Sequence, residues 1–478
     1  MKGDFTRDTF DPFQHYTRVL MQQGRVQLDA DWNEQAALAQ HYLQALAADL
    51  IGRHGGPKER AGFAVLTNAN GLTDRWGRPL DQARIDALNA ELAAGGFIIG
   101  GGRYYVTGLL CESDEPTAYS AQAGYPFDAA TALDKLRDVN DTFLIYLDVW
   151  ERHVSFVEAE GLRETALGGP DTATRAQRVC QVKVMLPVDG AALSAASLDS
   201  LPRIGKASMR ARAKQPEMQA DACIVSPQAR FRGAENQLYR IEIHRGGSAR
   251  AADASAGGAT FKWSRENGSV IFPVLDIGDG DEAGTTIVTL AALGRDDVLG
   301  LRIGDRVELV DDDYTLQQRA DPLLKVRAID RDELQVVLEG IPAHPVSDDP
   351  ERHPLLRRWD HDGDPGQDTD DGALLVRQSN ADWIDLEDGV QIQFPATYNG
   401  QDAYRSGDYW LVPARAATMD VDWPQHKEAA GWVPSALPPR GVAHDYAPLA
   451  LAAINAQGRL EVKPNGDMRR FFEALAKV

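Results

Sequence analysis

The residues whose types and spacing most resemble a binding site form an acidic run in the last third of the chain. The run DHDGDPGQDTDD places carboxylates at Asp360, Asp362, Asp364, Asp368 and Asp370. Calcium takes about six to eight oxygen ligands, and a run of this kind can supply them. However, Pro365 stands where an EF-hand loop needs glycine, and no glutamate closes the run. An Asp-, Gly- and Pro-rich segment is more typical of a solvated loop. We therefore predict no cofactor, with calcium as the alternative.

Two His/Glu pairs could share a metal, because residues two apart on a strand lie on one face. They are Glu242 with His244 and Glu151 with His153. Neither pair has an identifiable third ligand, so the polar face of a half-buried strand is the other interpretation. Carboxylates that could form a glycosidase pair, among them Asp148, Glu151, Glu242 and Asp408, are too numerous to select one pair. The nucleophile elbow, HExxH, P-loop and dinucleotide fingerprints are missing from the sequence. We predict no catalytic residue, and a protein that is not an enzyme.

The opening segment FTRDTFDPFQHYTRVLMQQGRVQLDADW alternates aromatic residues with arginines. These residue types are enriched at the hot spots of protein interfaces. The predicted partner-docking residues are Phe5, Arg7, Phe10, Phe13, Tyr16, Arg18, Arg25 and Trp32. The alternative is that this arm folds back onto its own domain.

Composition limits the class of protein. The chain has 478 residues and a formal charge of -21, which disfavours nucleic acid and anionic membrane surfaces as partners. No apolar run approaches the ~20 residues that span a bilayer. No signal-peptide h-region follows Met1, so we expect synthesis in the cytoplasm without a signal peptide. Three scattered cysteines, Cys111, Cys180 and Cys223, argue against a disulfide framework.

Two helices are predicted near the N-terminus and a third at the C-terminus. Asp31 is a suitable N-cap, and apolar residues recur after it at three- and four-residue spacing up to Gly52, namely Trp32, Ala36, Ala39, Leu43, Leu46 and Leu50. This stripe is expected to cover a sheet. A second helix is predicted over 81–94, and DMRRFFEALAK predicts a closing helix.

The rest of the chain is typical of strands. Residues 142–158 have the β-branched and aromatic density of a long strand, and 237–246 alternate between polar and apolar residues. We predict a β-rich, multidomain α+β protein with antiparallel, sandwich-like sheets, an N-terminal helix and a small β-barrel-like insert. The predicted units are 1–60 (arm and helix), 61–235 (first β-rich domain), 236–300 (central β segment), 301–341 (barrel-like insert), 342–382 (acidic loop) and 383–478 (C-terminal β segment and helix).

Tryptophan positions separate core from surface. Trp150, Trp263 and Trp410 lie inside apolar strands and are predicted to be core. Trp423 and Trp432 lie in loop-like sequence, so they are predicted to be at the surface, where an aromatic ring can stack on a sugar.

Several of these segments together resemble a bacterial family, DUF6519. They include the opening MKGDFTRDTFDPFQHYTRVLMQQGRVQLDADWNEQ, then YLDVWERHVSFVE, ENQLYRIEIH, FKWSRENGSV, LEDGVQIQF and YRSGDYWLVPAR. The resemblance spans nearly the whole chain. It implies an association with phage tail-like gene clusters, including extracellular contractile injection systems, and it brings no catalytic residues.

The leading hypothesis from the sequence is a non-enzymatic structural or adaptor component of a phage tail-like contractile injection particle, at its baseplate, periphery or cap. It would be present in several copies, bind other subunits of the particle, and leave the cell with the particle on lysis. The alternatives are a surface- or carbohydrate-binding module, with or without calcium, and a polysaccharide hydrolase.

Overall fold

The structure is a computed structural model. It describes residues 1–127, 134, 136, 141–188, 190–215, 230–249, 258–296, 298–361, 369–396, 403–429 and 431–474.

The helices with defined bounds are α1 (Asp29–Ile51), α2 (Gln82–Ala93) and α3 (Asp312–Gln317). Helix α2 confirms its prediction, with the carboxylate of Asp81 accepting a hydrogen bond from the Arg84 backbone N–H at 2.8 Å. The N-cap of helix α1 is Leu28, three residues earlier than predicted. Asp31 is therefore not the N-cap but lies inside the first turn, where its carboxylate accepts a hydrogen bond from the backbone N–H of Leu28. Short 3-10 helices span Pro12–Gln14, Tyr119–Ala121, Glu160–Leu162, Thr165–Leu167, Ala195–Ser200 and Pro350–Arg352.

The strands follow in chain order. Those up to residue 185 are β1 (His54–Pro57), β2 (Val65–Leu66), β3 (Ile98–Ile99), β4 (Gly102–Val106), β5 (Leu109–Ser113), β6 (Thr117–Ala118), β7 (Phe143–Val154) and β8 (Arg175–Met185). The central strands are β9 (Arg210–Ala213), β10 (Gln237–Ile243), β11 (Gly247–Ser248), β12 (Thr260–Ser264), β13 (Ile271–Asp279), β14 (Thr285–Leu290), β15 (Arg306–Val310), β16 (Leu324–Asp330), β17 (Gln335–Glu339) and β18 (Leu355–Trp359). The remaining strands are β19 (Thr369–Asp370), β20 (Ala373–Leu375), β21 (Ile384–Asp385), β22 (Val390–Gln393), β23 (Ala403–Tyr404), β24 (Tyr409–Arg415), β25 (Asp420–Val421), β26 (Gln425–Glu428), β27 (Gly431–Pro434), β28 (Asp445–Ile454), β29 (Leu460–Asp467) and β30 (Phe471–Phe472).

The two ends of the chain build one β unit. Its first sheet has the order β29-β28-β7-β8 and is antiparallel, and its second has the order β30-β1-β4-β5. Their shared core contains Phe97, Tyr104, Phe143 and Leu147, all fully buried. The C-terminal strands thus return to the N-terminal region.

A second unit is a sandwich-like arrangement around the largest core. The sheet β19-β20-β12-β10-β24-β25 lies against the smaller sheet β21-β22-β9. Trp263, Trp410, Tyr239 and Phe394 fill the space between them. The alternating pattern of 237–246 forms β10, and Trp150, Trp263 and Trp410 are core as predicted.

A closed barrel forms the third unit, with strand order β13-β14-β17-β16-β15-β18. Val288, Val307 and Leu338 fill its interior, and closure leaves no free strand edge. The segment 301–341 contributes three of the six strands, and the strands on either side complete the barrel. The predicted fold class is confirmed: the protein is β-rich, with several antiparallel sheets, an N-terminal helix and a barrel.

Three local predictions are wrong. The closing helix over DMRRFFEALAK is replaced at Phe471–Phe472 by β30, which pairs in parallel with β1, because tertiary pairing overrides local helix propensity. The acidic loop predicted over 342–382 is interrupted by β18, whose five residues are all buried in the barrel wall. Trp423 is buried at 9% exposure, with its indole N–H donating to the Ser435 carbonyl.

Among the described residues, no helix is both long enough and apolar enough to cross a membrane.

Candidate functional site

Helix α1 presents its apolar stripe to solvent. The stripe consists of Trp32, Ala36, Ala39, Leu43, Leu46 and Leu50, and all six residues are exposed. Trp32 is 78% exposed and Leu50 is 72% exposed. The stripe runs for about 27 Å, at 1.5 Å of rise per residue. The prediction that these residues cover a sheet is therefore wrong.

The opposite face of α1 contacts the protein and carries mostly small or polar residues. Ala30 and Leu38 are buried, while Glu34, Ala37, Gln44 and Ala48 are half-buried. Gln44 donates from its side-chain amide to the carbonyl of Thr107 at 3.2 Å, in the turn between β4 and β5. That turn needs Gly108, because a Cβ there would meet the Gln44 carbonyl oxygen at 2.0 Å. Close approach of the turn thus fixes which face of α1 points inward.

The N-terminal arm runs alongside α1 and is hydrogen-bonded to it. Thr6 donates to the carboxylate of Asp29, and Thr9 donates to Glu34 at 2.5 Å. Farther along, the backbone N–H of Val19 donates to Gln35 at 2.9 Å. Six apolar residues of the arm are also exposed, namely Phe13, Tyr16, Leu20, Met21, Val26 and Leu28.

The predicted docking residues divide into two groups. Phe5, Arg7 and Phe10 are half-buried in the protein's own fold; Phe5 packs against Leu238, Tyr409 and Leu411. The exposed group consists of Phe13, Tyr16, Arg18, Arg25 and Trp32. We call the exposed stripe of α1 together with the exposed apolar residues of the arm the α1 surface.

The first three residues insert into a buried cluster. The α-amino group of Met1 donates to the Tyr409 hydroxyl at 2.7 Å. Asn267 donates from its side-chain amide to the carbonyl of Gly3 at 2.8 Å, and its own carbonyl accepts the Gly3 N–H at 3.3 Å. The Lys2 ammonium lies 3.1 Å from the Glu242 carboxylate. The arm is thus anchored inside the molecule.

That cluster contains two pairs of opposite charges in cross-strand register. Glu242 on β10 stands opposite Lys262 on β12, and Glu308 on β15 stands opposite Arg357 on β18. Lys262 reaches from the sandwich sheet to the barrel, where its Nζ lies 2.5 Å from Glu308. Both side chains are about 4% exposed. The cluster therefore joins the two units through charged rather than apolar groups.

Burial and charge act in opposite directions on the cluster's pKa values. Burial alone would raise the pKa of Glu308, but Lys262 and Lys2 lower it to about 2. Burial alone would raise the pKa of Glu242, but three neighbouring cations hold that pKa well below its usual range. Burial lowers the pKa of Lys2 to about 8, against the attraction of Glu242. Both glutamates are ionised at neutral pH.

Beside the cluster lies a cavity of about 340 Å³. Its lining includes His153, Glu242, His244, Lys262, Glu308 and Arg357. His244 is 3% exposed, and its ring lies beside the backbone of Asp321. Burial, followed by the charge of Lys262, lowers the pKa of His244 to about 3, so the ring is neutral.

The calcium candidates do not come together as a site in the described residues. Asp360 is paired with Arg358 at 3.1 Å and accepts the backbone N–H of Arg265 at 2.9 Å. Asp370 is ion-paired with Arg245. Asp362, Asp364 and Asp368 lie outside the described residues. Across the parts of the chain with defined coordinates, no group of three His, Cys, Asp or Glu is placed to hold a metal ion.

The remaining candidate carboxylates already have partners. Asp148 accepts from His444 at 2.6 Å and lies 2.7 Å from Lys183, while Glu151 lies 3.1 Å from Arg178. Asp408 accepts the backbone N–H groups of Gly205 and Arg405. Cys111 and Cys180 are free thiols, and Cys223 lies outside the described residues.

Sequence reasoning missed Lys262, Glu308 and Asn267 as members of the cluster. The available signal was a charged residue in the middle of each of two apolar strands, FKWS and RVELV. A charge at such a position is almost never fully buried unless it is paired.

In the described residues, the fold and this geometry define a β-rich protein with several antiparallel sheets, a closed barrel and an exposed apolar helix. The chain belongs to a family of unknown function, DUF6519, whose model matches residues 1–207 and 195–461. No curated protein and no solved structure is significantly similar to it.

Proposed function

We propose that this protein is a non-enzymatic docking component of a larger protein assembly, and that the α1 surface is where it docks. The observation that carries the proposal is the orientation of α1, which exposes Trp32, Leu43, Leu46 and Leu50, whereas its buried residues are Ala30 and Leu38. Burying a leucine side chain is worth roughly 1.5–3 kcal/mol, and within this chain Leu43, Leu46 and Leu50 forgo it. Contiguous exposed apolar patches mark interaction sites.

The anchored arm supports the same proposal. Residues 1–5 are tied into the core of the protein, and Thr6, Thr9 and Val19 are tied to α1. Both parts of the α1 surface are therefore held in place before a partner arrives. A pre-organised surface loses less conformational entropy on binding.

We further propose that the assembly is a phage tail-like contractile injection particle, with this protein at its baseplate, periphery or cap in several copies. This assignment rests on the family resemblance, to which the α1 surface adds a means of attachment. Particles purified from a strain that carries the gene should contain the protein, and particles from a deletion strain should differ in composition or morphology. A normal particle that lacks the protein, with no change on deletion, would rule the assignment out.

A second candidate is a carbohydrate- or surface-binding module. It is favoured by Trp432, which is 68% exposed on the hairpin β26-β27. Exposed aromatic rings can stack on sugars. A glycan array in calcium and in chelator tests this candidate, and Trp432→Ala is the variant that should lose any binding.

A further inference from the structure

The six exposed residues of the α1 stripe are regularly spaced along the helix. From Trp32 to Leu50 the steps are four, three, four, three and four residues, with every position exposed. A strict alternation of this kind is the heptad repeat, in which positions a and d face a partner helix. A helix that covers a sheet can show the same spacing over a few turns, but this stripe faces away from the protein's own sheets. The spacing therefore fits a second helix as the partner.

The sizes of the six residues specify the direction of that helix. In the heptad, the a positions are Ala36, Leu43 and Leu50, and the d positions are Trp32, Ala39 and Leu46. If two copies of α1 cross antiparallel about a two-fold axis near residue 41, each a residue faces a d residue of the other copy. The facing pairs are then Trp32 with Leu50, Ala36 with Leu46, and Ala39 with Leu43.

Every alanine in this arrangement faces a leucine, so large and small side chains interdigitate as close packing requires. A parallel pair would place Ala36 against Ala36 and Ala39 against Ala39, which leaves voids, and Trp32 against Trp32, which overfills the layer. The antiparallel direction also sets opposite ends of the two helix dipoles side by side.

Charge on the flanks of the seam permits two copies to meet. The flanking e and g positions are Asn33, Gln35, Gln40, Tyr42, Ala47 and Asp49, so only one of them is charged. In the antiparallel pair, Asp49 faces Gln35 of the other copy. A chain with a formal charge of -21 would repel itself at most surfaces, but this seam brings no like charges together.

We propose that α1 binds α1 of a second copy of this protein as an antiparallel, two-fold symmetric helix pair. The proposal rests on the proposed docking function and names the partner at that surface. A two-fold interface uses the same patch on both copies, as is usual for homodimers.

The full-length protein tests this by sedimentation velocity over a micromolar concentration series. Wild type should be a dimer. Leu43→Glu, which puts a charge at the centre of the seam, should raise the dimer dissociation constant at least about 100-fold. The matched control is Ile303→Glu on the barrel, where Ile303 is 70% exposed, and this variant should remain a dimer. A monomeric wild type, or a dimeric Leu43→Glu with unchanged affinity, overturns the proposal.

Cysteine cross-linking tests the direction. In a Cys223→Ser background, a mixture of Ala39→Cys and Leu43→Cys chains, each with its own tag, should form a mixed disulfide. Ala39→Cys chains alone should form little intermolecular disulfide, and chains with only Cys223→Ser should form none. A dominant Ala39→Cys homodimer would show parallel helices and overturn the arrangement.

The helix pair and the proposed docking function can be contradicted independently of each other. A wild-type chain that is monomeric, yet enters particles through α1, contradicts the helix pair but not the docking function. A dimer that never enters a particle contradicts the docking function but not the helix pair.

Discussion

Leu38 and Leu43 lie five residues apart on α1 and have opposite environments, since Leu38 is 7% exposed and Leu43 is 62% exposed. The helix therefore has two different apolar positions, one that stabilises the fold and one that is available to a partner. Truncating Leu38 to Ala should lower the free energy of unfolding by about 2–5 kcal/mol. Leu43→Ala should change it by no more than about 0.5 kcal/mol in the isolated monomer. Urea denaturation at low protein concentration measures both, and equal losses would contradict the orientation of α1.

The ion pair between Lys262 and Glu308 should be costly to break from one side. Glu308→Gln leaves the Lys262 ammonium buried without its closest counter-charge, so we expect a loss of about 3–5 kcal/mol at neutral pH. The exposed pair of Lys58 and Glu473 is the matched control, and Glu473→Gln should cost less than about 1 kcal/mol. Adding Lys262→Met to Glu308→Gln should recover part of the loss. Strictly additive effects in this double-mutant cycle would argue against a coupled pair.

Asn267 should hold the N-terminus through both its side chain and its backbone. Its φ is 51°, in the left-handed region, and its amide donates to the carbonyls of Gly3 and Met1. Asn267→Gly removes only the side-chain bonds, whereas Asn267→Ala also strains the backbone by about 1–2 kcal/mol. Ala should therefore destabilise more than Gly, and in both variants the amides of residues 3–5 should exchange faster by mass spectrometry. Unchanged exchange would mean that Asn267 does not anchor the arm.

Glu266 should make stability fall as pH rises toward neutrality. Burial, followed by the carboxylates of Asp360 and Asp4, raises its pKa from 4.5 to about 7. The folded state then binds an extra proton between these two values, so this group's contribution to stability declines across that window. Glu266→Gln stays neutral and should stabilise the protein by about 1–2 kcal/mol at pH 8 relative to wild type, allowing for partial exposure. The gain should disappear near pH 4, and denaturation at both pH values tests it.

Much of the fold followed from local pattern. The clean alternation of β10 and the apolar density of β7 predict strands, because a residue's neighbours two positions away share its face. Asp81 predicts the start of α2 because its capping bond is local. The return of β28 and β30 to the N-terminal unit could not be predicted this way, since pairing over such distances leaves no local signal.

The stripe of α1 was identified correctly and assigned to the wrong side. Periodicity shows that Trp32, Leu43 and Leu50 share a face, but it does not show whether that face meets a sheet or a partner. The inward face was decided by the close approach of Gly108 to Gln44, which only three-dimensional contacts reveal. The four-three spacing fits both a helix that covers a sheet and a helix that pairs with another helix, so it did not decide between them.

The most direct test of the docking function is the number of copies of this protein per purified particle. The deletion strain is complemented with wild type, with Leu43→Glu/Leu46→Glu, or with Ile303→Glu, and the copies are counted by quantitative mass spectrometry. We predict that wild type and Ile303→Glu are incorporated equally, while the double variant is expressed and folded but missing from the particle. Incorporation of the double variant at the wild-type level would contradict docking through α1.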